Sequence, residues 1–468
     1  MRRHRLGDPA DTRHRTGNAL RLRGPARARG PRPGPAPRLS PFAPDWTLRA
    51  AARLTARLRT DDPRPVALAL SGGGDSVALL HLAADWAREH GRPLLALTVD
   101  HGLNPDSPDW SRRARAAAHA VGADWRELRW TGDKPAAGIS AAARTARHRL
   151  IAGAARQAGA SVILFAHTAD DVAEGELMRA DGSTLGRLRD WSPSPVWPEG
   201  RGLMLLRPLL DVRRADLRHW LAARGADWIE DPANADPRFT RARARQALAG
   251  QHPAPSPVPP EPGPVHGVRA VEDDLIHLAR DASARALAAA VVCAGGDERP
   301  PRGDRLARLR ERLAQGEVFT ATLSGARIIA MEEGVFLTRE PGEFRRLGAE
   351  PLPLPPGVET VWDGRWSLTV EEPGWSVAPA AGRMAALSAA DQARLRALPA
   401  AVRGGRPVLI RNNPPATVLA GEAVGAHALI EQRLAFALDG MTHEPAPDAM
   451  AHGAPPRNHL FSGVRLIA

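Results

Sequence analysis

The chain has 468 residues, enough for two or three domains that each bury a core. Its hydrophobic content of 43% is typical of globular proteins, and no apolar run approaches the roughly 20 residues that a membrane-spanning helix needs. The single cysteine, Cys293, excludes an internal disulfide and a four-cysteine metal site. We therefore expect a protein of the reducing cytoplasm, without a membrane partner.

The net charge of +12 is concentrated near the N-terminus. Residues 1–45 contain 11 Arg and 3 Asp, which leaves only +4 for the other 423 residues. This stretch is rich in Arg, Pro and Gly and has no helical or strand period, so we predict a disordered basic tail. A role in nucleic-acid binding must therefore rest on a local basic patch elsewhere in the chain.

Short apolar runs alternate with helical patterns after residue 46. Strands are predicted at 65–70, 94–99, 125–130, 161–166 and 203–207. Helices are predicted up to about residue 90 and over 109–121, 138–158, 170–180 and 212–224. This alternation is typical of right-handed βαβ units, so we predict an α/β fold with a doubly wound parallel sheet.

The second half of the chain is predicted to be mixed. A Pro-rich linker is followed by predicted helices at 269–290 and 303–314 and by an alternating, hairpin-like pattern at 317–340. Four prolines in 346–357 mark a second break, after which short strands (360–370) and a helix (388–398) are predicted. The predicted regions are a tail (1–45), a catalytic domain (46–250), a linker (251–268), a helical and β-hairpin domain (269–345) and a small α+β domain (346–468).

The stretch "LALSGGGDSVALLHL" (68–82) places three glycines between a strand and a helix. A helix N-terminus offers free N–H groups to an anion, and glycines allow a phosphate to approach the backbone closely. Asp75 would repel a phosphate unless a Mg²⁺ ion lies between them, so we predict a Mg²⁺-dependent nucleotide site. The alternative is a tight turn in which Asp75 only caps the helix.

The string Ser-Gly-Gly-Gly-Asp-Ser resembles the SGGxDS signature of the PP-loop, or N-type, ATP pyrophosphatases. Members of that superfamily cleave ATP to AMP and pyrophosphate while they adenylate a substrate oxygen, which a nitrogen or sulfur nucleophile then displaces. The resemblance implies the fold and the use of ATP, whereas the substrate depends on the site of each member.

Later stretches resemble the tRNA(Ile)-lysidine synthase family. They are "TVDHGL" (98–103), "AAARTARHRL" (141–150), "AHTADDVAE" (166–174), "LLRPLLDVRRADL" (205–217) and "WIEDPANADPRFTRARAR" (228–245). Three positions depart from the family pattern: His148 stands in place of a tyrosine, Gly175 of a threonine and Ala242 of an asparagine. Arg238, Arg241 and Arg245 fall at i, i+3 and i+7, which predicts one basic helical stripe suited to RNA phosphates.

The resemblance and the pattern together suggest three groups of site residues. The predicted ATP-binding residues are Ser71, Gly72, Gly73, Gly74, Asp75, Ser76, Asp100, His101 and Arg144. The predicted catalytic residues are Asp75, which would also hold Mg²⁺, and His167, Asp170, Asp171 and Glu174. The predicted RNA or phosphate contacts are Arg207, Arg241 and Arg245. His167 is predicted to act as a base or to contact phosphate, and the three acids to bind a cationic amine.

The resemblance implies ATP-dependent ligation of free L-lysine to the wobble cytidine of the isoleucine tRNA with anticodon CAU. A tRNA thiolase is the first alternative, but those enzymes need paired cysteines or a cysteine-bound cluster, and this chain has one cysteine. A small-molecule synthetase and a nucleotide-binding module without catalysis are further alternatives. The sequence leaves open whether the chain forms a homodimer.

Overall fold

The computed structural model describes residues 44–446, except 184–185, 233–235, 239, 251–264, 302, 349, 422–423 and 439–440. The predicted basic tail, up to residue 43, and most of the predicted linker lie outside the described residues. Within the described part of the chain, no helix is both long enough and apolar enough to cross a membrane.

A six-stranded sheet forms the core of the N-terminal half. Its strands are β1 (Val66–Ala69), β2 (Leu94–Asp100), β3 (Asp124–Arg129), β4 (Val162–Leu164), β5 (Trp191–Pro193) and β6 (Met204–Leu206). The spatial order is β3-β2-β1-β4-β6-β5, with all neighbours parallel except β5, which pairs antiparallel with β6 at the edge. The predicted parallel sheet is confirmed, and each predicted strand is present.

Seven helices accompany this sheet. They are α1 (Asp45–Arg57), α2 (Gly74–Glu89), α3 (Ser107–Ala120), α4 (Ile139–Gln157), α5 (Ala169–Ala180), α6 (Arg214–Ala223) and α7 (Thr240–Ala247). Leu79 of α2 packs into a core on one face of the sheet, and Ile151 of α4 packs into a separate core on the other face. The central strands β1 and β4 are continuously apolar because both of their faces are covered, whereas β3 at the edge of the sheet is polar and largely exposed.

The order of the strands creates a crevice at the carboxyl edge of the sheet. The chain leaves β1 toward β2 on one side, whereas β4 lies on the other side of β1. Ligands of open α/β sheets bind at such a reversal of strand order, outside the carboxyl ends of the strands. The glycine loop follows β1 and the His167 stretch follows β4, so the fold brings these two predicted motifs to the same crevice.

An antiparallel sheet organises the next region. Its elements are β7 (Val268–Glu272), β8 (Leu275–Leu278), α8 (Ala284–Gly295), α9 (Gly303–Ala314), β9 (Phe319–Leu323), β10 (Ala326–Ala330), β11 (Val335–Arg339) and α10 (Gly342–Arg346). The order is β7-β8-β11-β10-β9. The predicted helix over 269–290 is wrong in its first half, because Asp273 and Asp274 take φ angles of 50° and 68° and close a two-residue hairpin turn.

Two small antiparallel sheets follow, as predicted for an α+β region. The elements are β12 (Leu352–Pro353), β13 (Thr360–Trp362), β14 (Trp366–Leu368), β15 (Trp375–Pro379), α11 (Ala389–Ala397), α12 (Ala400–Arg403), β16 (Pro407–Asn412), β17 (Pro415–Leu419), β18 (Ala426–Ala428) and α13 (Ile430–Ala437). One sheet has the order β12-β15-β16-β17 and the other β13-β14-β18. Leu434 of α13 packs into the core of the preceding antiparallel region.

The segment after α13 returns to the amino-terminal edge of the parallel sheet. Glu444 is 1% exposed and accepts hydrogen bonds from both Nη atoms of Arg92, at 3.0 and 3.2 Å. The backbone N–H of Arg59 and the hydroxyl of Ser161 also donate to this carboxylate, at 3.0 and 2.9 Å. A residue of the predicted C-terminal domain therefore completes a buried polar cluster at the parallel sheet. The predicted domain boundaries stay predictions.

Candidate active site

The glycine loop connects β1 to the first turn of α2. Ser71 and Ser76 hold its two ends together, because their hydroxyl oxygens lie 3.1 Å apart and Ser76 Oγ donates to the Gly73 carbonyl at 2.9 Å. The N–H groups of the first turn of α2 have no partners within the helix and carry the positive end of its dipole. The loop is therefore suited to hold an anion.

A second segment supports the loop from outside the βαβ unit. The Ile229 N–H donates to the Gly72 carbonyl at 2.9 Å, and Gly73 forms an isolated parallel bridge with Ile229. Trp228 packs beside Gly74. The sequence marks 228–245 as a family-like stretch, but it gives no sign that Ile229 fixes the conformation of the glycine loop.

Gly72 is the loop position that is most sensitive to substitution. Its φ is +84°, and an added Cβ would lie 2.5 Å from Ile229 Cδ1, whereas a Cβ at Gly74 would be in ordinary contact with Trp228, at 3.4 Å. We expect Gly72→Ala to lower the free energy of unfolding by about 1–3 kcal/mol and to weaken ATP binding. Gly74→Ala is the matched control in urea unfolding, and an equal loss of stability in both variants would contradict this interpretation.

A cleft of about 430 Å³ opens above the glycine loop. Of the residues that the sequence predicts for the site, those lining it are Ser71, Gly73, Gly74, Asp75, Ser76, His101, His167, Asp171, Arg241 and Arg245. Asp100 is not among the lining residues, and its Oδ1 instead accepts the Gly102 N–H at 2.8 Å. The structure therefore brings most of the predicted nucleotide and catalytic residues into one cleft.

Three buried polar atoms in this cleft have no hydrogen-bond partner among the described residues: Asp75 Oδ1, His101 Nδ1 and Arg147 Nε. Buried polar groups in native proteins are almost always paired, so unpaired ones that line a cleft indicate a missing ligand. Burial raises the pKa of Asp75, against the opposing effect of Arg214, and it lowers the pKa of Arg147 to about 10. Arg147 is a cleft residue that the sequence-based assignment missed.

Three carboxylates and three arginines form an acid–arginine cluster beside the cleft. Its members are Asp75, Asp171, Glu174, Arg214, Arg241 and Arg245. Arg214 Nε donates to Asp75 Oδ2 at 3.1 Å, and its Nη1 donates to Glu174 Oε1 at 3.2 Å. Neighbouring carboxylates raise the pKa of Arg214, although burial opposes this shift. Arg214 is therefore central to the site, although the sequence-based assignment did not include it.

Glu174 and Asp171 use all their carboxylate oxygens within the protein. Glu174 accepts from Arg241 Nε and Arg245 Nε, both at 3.0 Å, in addition to Arg214. Asp171 Oδ1 accepts from Arg241 Nη2 at 2.9 Å, and its Oδ2 accepts the Thr168 N–H at 2.8 Å in a capping box that begins α5. Both acids are thus paired, in contrast to Asp75 Oδ1.

Two predicted site residues have structural contacts. Asp170 Oδ2 accepts the Arg214 N–H at 2.8 Å, so this carboxylate caps α6 and positions the arginine. Arg238 lies before the start of α7 and pairs with Asp236, so the predicted three-arginine stripe is wrong at this position. Arg241 and Arg245 do lie on α7, where they face the acids of the cluster.

Arg207, which follows β6, forms a hydrogen-bonded pair with His167, which follows β4. Arg207 Nε donates to His167 Nδ1 at 3.2 Å, and Arg207 is only 7% exposed. Burial lowers the pKa of Arg207 to about 10 and holds the pKa of His167 well below its usual range, with nearby arginines adding to both shifts. The buried position of Arg207 does not favour the predicted contact with RNA.

A smaller cleft of about 90 Å³ adjoins the larger one. His167, Asp171 and Arg241 line both clefts, and the smaller one also contains Arg144, Val172, Gly175, Glu176, Met178, Arg179, Gly186, Arg187 and Leu188. Arg144, which the sequence assigns to ATP, thus belongs to the smaller cleft. An added Cβ at Gly175 would lie 3.4 Å from an Nη atom of Arg179, so this guanidinium covers the position of the missing threonine.

The donor set can be tested for a fit to Mg²⁺. Among the described residues, no group of three or more His, Cys, Asp or Glu side chains could hold a metal ion by itself. Mg²⁺ in nucleotide sites commonly binds one or two carboxylates, together with phosphate oxygens and water. The unpaired Asp75 Oδ1, beside the glycine loop, fits this mode of binding.

Comparisons with known proteins agree with this site. The family model for the PP-loop domain matches residues 47–252. The chain is 48% identical over 398 residues to the tRNA(Ile)-lysidine synthase of Caulobacter vibrioides, which covers 85% of this chain and 95% of that protein. It is 39% identical over 324 residues to the enzyme of the same name from Hyphomonas neptunium, covering 63% of this chain and 84% of that protein.

A solved structure of a U34-tRNA thiolase from Methanococcus maripaludis covers 44% of this chain and 72% of its own, at 15% identity. Its TM-score of 0.37 is too low to support a conclusion. The sequence identity over almost the whole length of the Caulobacter protein, together with the PP-loop cleft, is decisive. The chain belongs to the tRNA(Ile)-lysidine synthase family of PP-loop ATP-using ligases.

Proposed function

We propose that the chain ligates L-lysine to C2 of the wobble cytidine of isoleucine tRNA with the anticodon CAU. The cytosine O2 attacks the α-phosphorus of ATP, and pyrophosphate leaves. The lysine ε-amine then attacks C2, and AMP leaves with the former O2. The ε-nitrogen, now bonded to C2, loses a proton to give lysidine. The observation that carries the proposal is the unpaired Asp75 Oδ1 above a glycine loop, in a cleft that adjoins a second, smaller cleft.

The larger cleft has the features of an ATP site. The first turn of α2 and the Ser71 and Ser76 hydroxyls would bind the phosphates, and Arg147 would add positive charge from α4. Asp75 would hold Mg²⁺ against these phosphates. Mg²⁺, when bound, would offset the negative charge that develops on the departing pyrophosphate.

The smaller cleft has the charges that L-lysine requires. Glu176 supplies negative charge for an ammonium group, and Arg144 and Arg179 supply positive charge for the carboxylate. His167, Asp171 and Arg241 line both clefts, so an amine bound in the smaller cleft would be near the adenylated base. Because both reactants would be held close together in the correct orientation, the activation barrier would be lower than for two free reactants.

The RNA would approach the exposed side of the acid–arginine cluster. Arg241 and Arg245 are the half-exposed cations of this cluster, with side-chain exposures of 42% and 34%. We propose that they contact RNA phosphates and that the region 269–345 binds tRNA. A cytoplasmic location belongs to this proposal because ATP, lysine and tRNA meet there. Formation of a homodimer stays a prediction, which analytical ultracentrifugation of the full chain tests.

Two alternatives share the same cleft. A small-molecule synthetase would turn over ATP without RNA, and a nucleotide-binding module would bind ATP without turnover. The thiolase alternative needs reactive cysteines, but Cys293 is fully buried in the core formed around α8, and burial raises its pKa to about 11. A buried, protonated thiol is a poor nucleophile and a poor metal ligand.

A ligation assay separates these functions. The full chain is incubated with ATP, Mg²⁺, labelled lysine and an isoleucine tRNA transcript with the anticodon CAU. We expect label on the RNA, AMP and pyrophosphate in equal amounts, and no label when the wobble cytidine is replaced by uridine. ATP turnover without labelled RNA would support the small-molecule alternative, and the absence of turnover would support the binding module.

A further inference from the structure

His167 accepts a hydrogen bond at one ring nitrogen, and this determines where its proton lies. Arg207 Nε donates to Nδ1 at 3.2 Å. An arginine can only donate, so Nδ1 carries a lone pair and the neutral ring carries its proton on Nε2. Among the described residues, Nε2 has no hydrogen-bond partner, and His167 lines both clefts.

Arg207 is itself fixed by the protein. Its Nη1 donates to the Arg189 carbonyl at 2.8 Å and to Ser192 Oγ at 3.1 Å. The planar guanidinium therefore presents Nε in a fixed direction. These hydrogen bonds hold the guanidinium of Arg207 in a buried position, where it contacts His167 rather than RNA.

The plane of the imidazole ring is also restrained. Phe165 stacks on His167 with ring centroids 5.9 Å apart and an interplanar angle of 17°. His148 also stacks with Phe165, at 5.1 Å and 25°. His148 is the position where the family pattern has a tyrosine, so in this chain Phe165 stacks with two histidine rings.

The charged groups that face His167 disfavour its protonation. Arg207 follows β6, Arg144 and Arg147 project from α4, and Arg241 projects from α7. Asp171 of α5 lines both clefts together with His167, but its carboxylate is paired with Arg214 and Arg241. A positive charge on the ring would be repelled by these four arginines.

We propose that Arg207 is a positioning residue, which holds His167 as a neutral imidazole that donates a hydrogen bond from Nε2 into the shared wall of the two clefts. The inference rests on the proposed function and assigns a role within the same site. His167 then acts as a donor to a phosphate oxygen of ATP or of the adenylated base, and not as the base that deprotonates lysine. A fixed donor of this kind stabilises charge that develops on oxygen during the transfer.

The tautomer can be measured without substrate. The full chain is labelled with 15N-histidine, and the His167 ring nitrogens are assigned by their loss in His167→Gln. We expect Nε2 protonated and Nδ1 unprotonated from pH 6 to pH 8. Arg207→Met should give a mixture of both tautomers, whereas Ser192→Ala, which leaves the Nε contact intact, should keep the wild-type spectrum. A wild-type ring that carries its proton on Nδ1 would overturn the inference, even if Arg207→Met fails to fold.

Two substitutions at His167 separate a donor from a base. The amide nitrogen of Gln reaches the position of Nε2, whereas that of Asn reaches only the position of Nδ1, and neither residue can accept a proton. We expect His167→Gln to retain pyrophosphate release within about tenfold of wild type and His167→Asn to lose about a hundredfold or more in kcat. Equal losses in both variants would exclude the donor role. Failure of the proposed function can be distinguished from failure of this inference. In that case the wild-type chain would attach no labelled lysine to the RNA, whichever tautomer the His167 ring adopts.

Discussion

An Asp75→Asn variant is expected to form AMP roughly 10²- to 10³-fold more slowly than wild type while it still binds tRNA. Asparagine keeps the shape of the side chain but removes the charge from the buried Oδ1, which would hold Mg²⁺ beside the phosphates. Asp75 pairs with Arg214, whereas Arg241 and Arg245, which are proposed to contact the RNA, pair with Asp171 and Glu174. Quenched-flow measurement of AMP and a filter-binding assay for tRNA give the two quantities.

Asp85→Asn is the matched control for this substitution. Asp85 lies on the same helix, α2, but pairs with Arg88 and Arg224, each at 3.1 Å, so its loss should leave AMP formation unchanged. The raised pKa of Asp75 adds a pH signature, because the carboxyl group becomes protonated above the usual range of an aspartate. AMP formation by wild type should therefore fall on acidification, and Asp75→Asn should lack this dependence. Near-normal AMP formation by Asp75→Asn would contradict the Mg²⁺-holding role.

A Glu174→Gln variant is expected to lower the free energy of unfolding by about 3–5 kcal/mol. Glu174 is 1% exposed and accepts hydrogen bonds from three arginines, so the substitution removes the negative charge that these three guanidinium groups share. Arg241 and Arg245 attach α7 to α5 through this carboxylate, and α7 should loosen when it is neutralised. Urea unfolding followed by tryptophan fluorescence measures the change.

Glu176→Gln, two residues further along α5, is the matched control. Glu176 has a side-chain exposure of 49% and lies 3.7 Å from Arg179, so we expect a change within about 0.5 kcal/mol. Adding Arg245→Gln to Glu174→Gln removes one of the uncompensated charges and should recover part of the lost stability. The comparison requires the Arg245→Gln single variant as well. If Arg245→Gln lowers the free energy of unfolding by the same amount in wild type and in Glu174→Gln, Arg245 and Glu174 are not coupled.

The parallel sheet and the glycine loop were predictable because each depends on local sequence. Apolar runs of four to six residues that alternate with helices favour βαβ units, and glycines between a strand and a helix favour an anion site. The helix predicted at 269–290 was wrong because Asp273 and Asp274 form a turn with positive φ, which aspartate adopts far less often than glycine. The periodicity of a short apolar run beside such a turn is compatible with either a strand or a helix.

The pairing of charges was not predictable in the same way. Arg214 contacts Asp75 across 139 residues of sequence, and Arg241 contacts Asp171 across 70. The sequence presents the acids as an anionic pocket and the arginines as a basic stripe, whereas the fold joins them into one nearly balanced cluster. Which carboxylate oxygen remains unpaired depends on this three-dimensional arrangement, so the sequence predicts Asp75 as the Mg²⁺ ligand, whereas the unpaired state of its Oδ1 is visible only in the structure.

Because Glu444 pairs with Arg92, the catalytic region reaches its final packing only after the C-terminal part of the chain has been synthesised. The ribosome must add 352 residues after Arg92 before the buried partner of this guanidinium exists. Until then a nascent chain, or one truncated before Glu444, keeps an uncompensated cation beneath the sheet, which costs several kcal/mol. Incomplete chains should therefore be preferred substrates of cellular proteases, and we expect a fragment that ends near residue 250 to be less stable than the full chain.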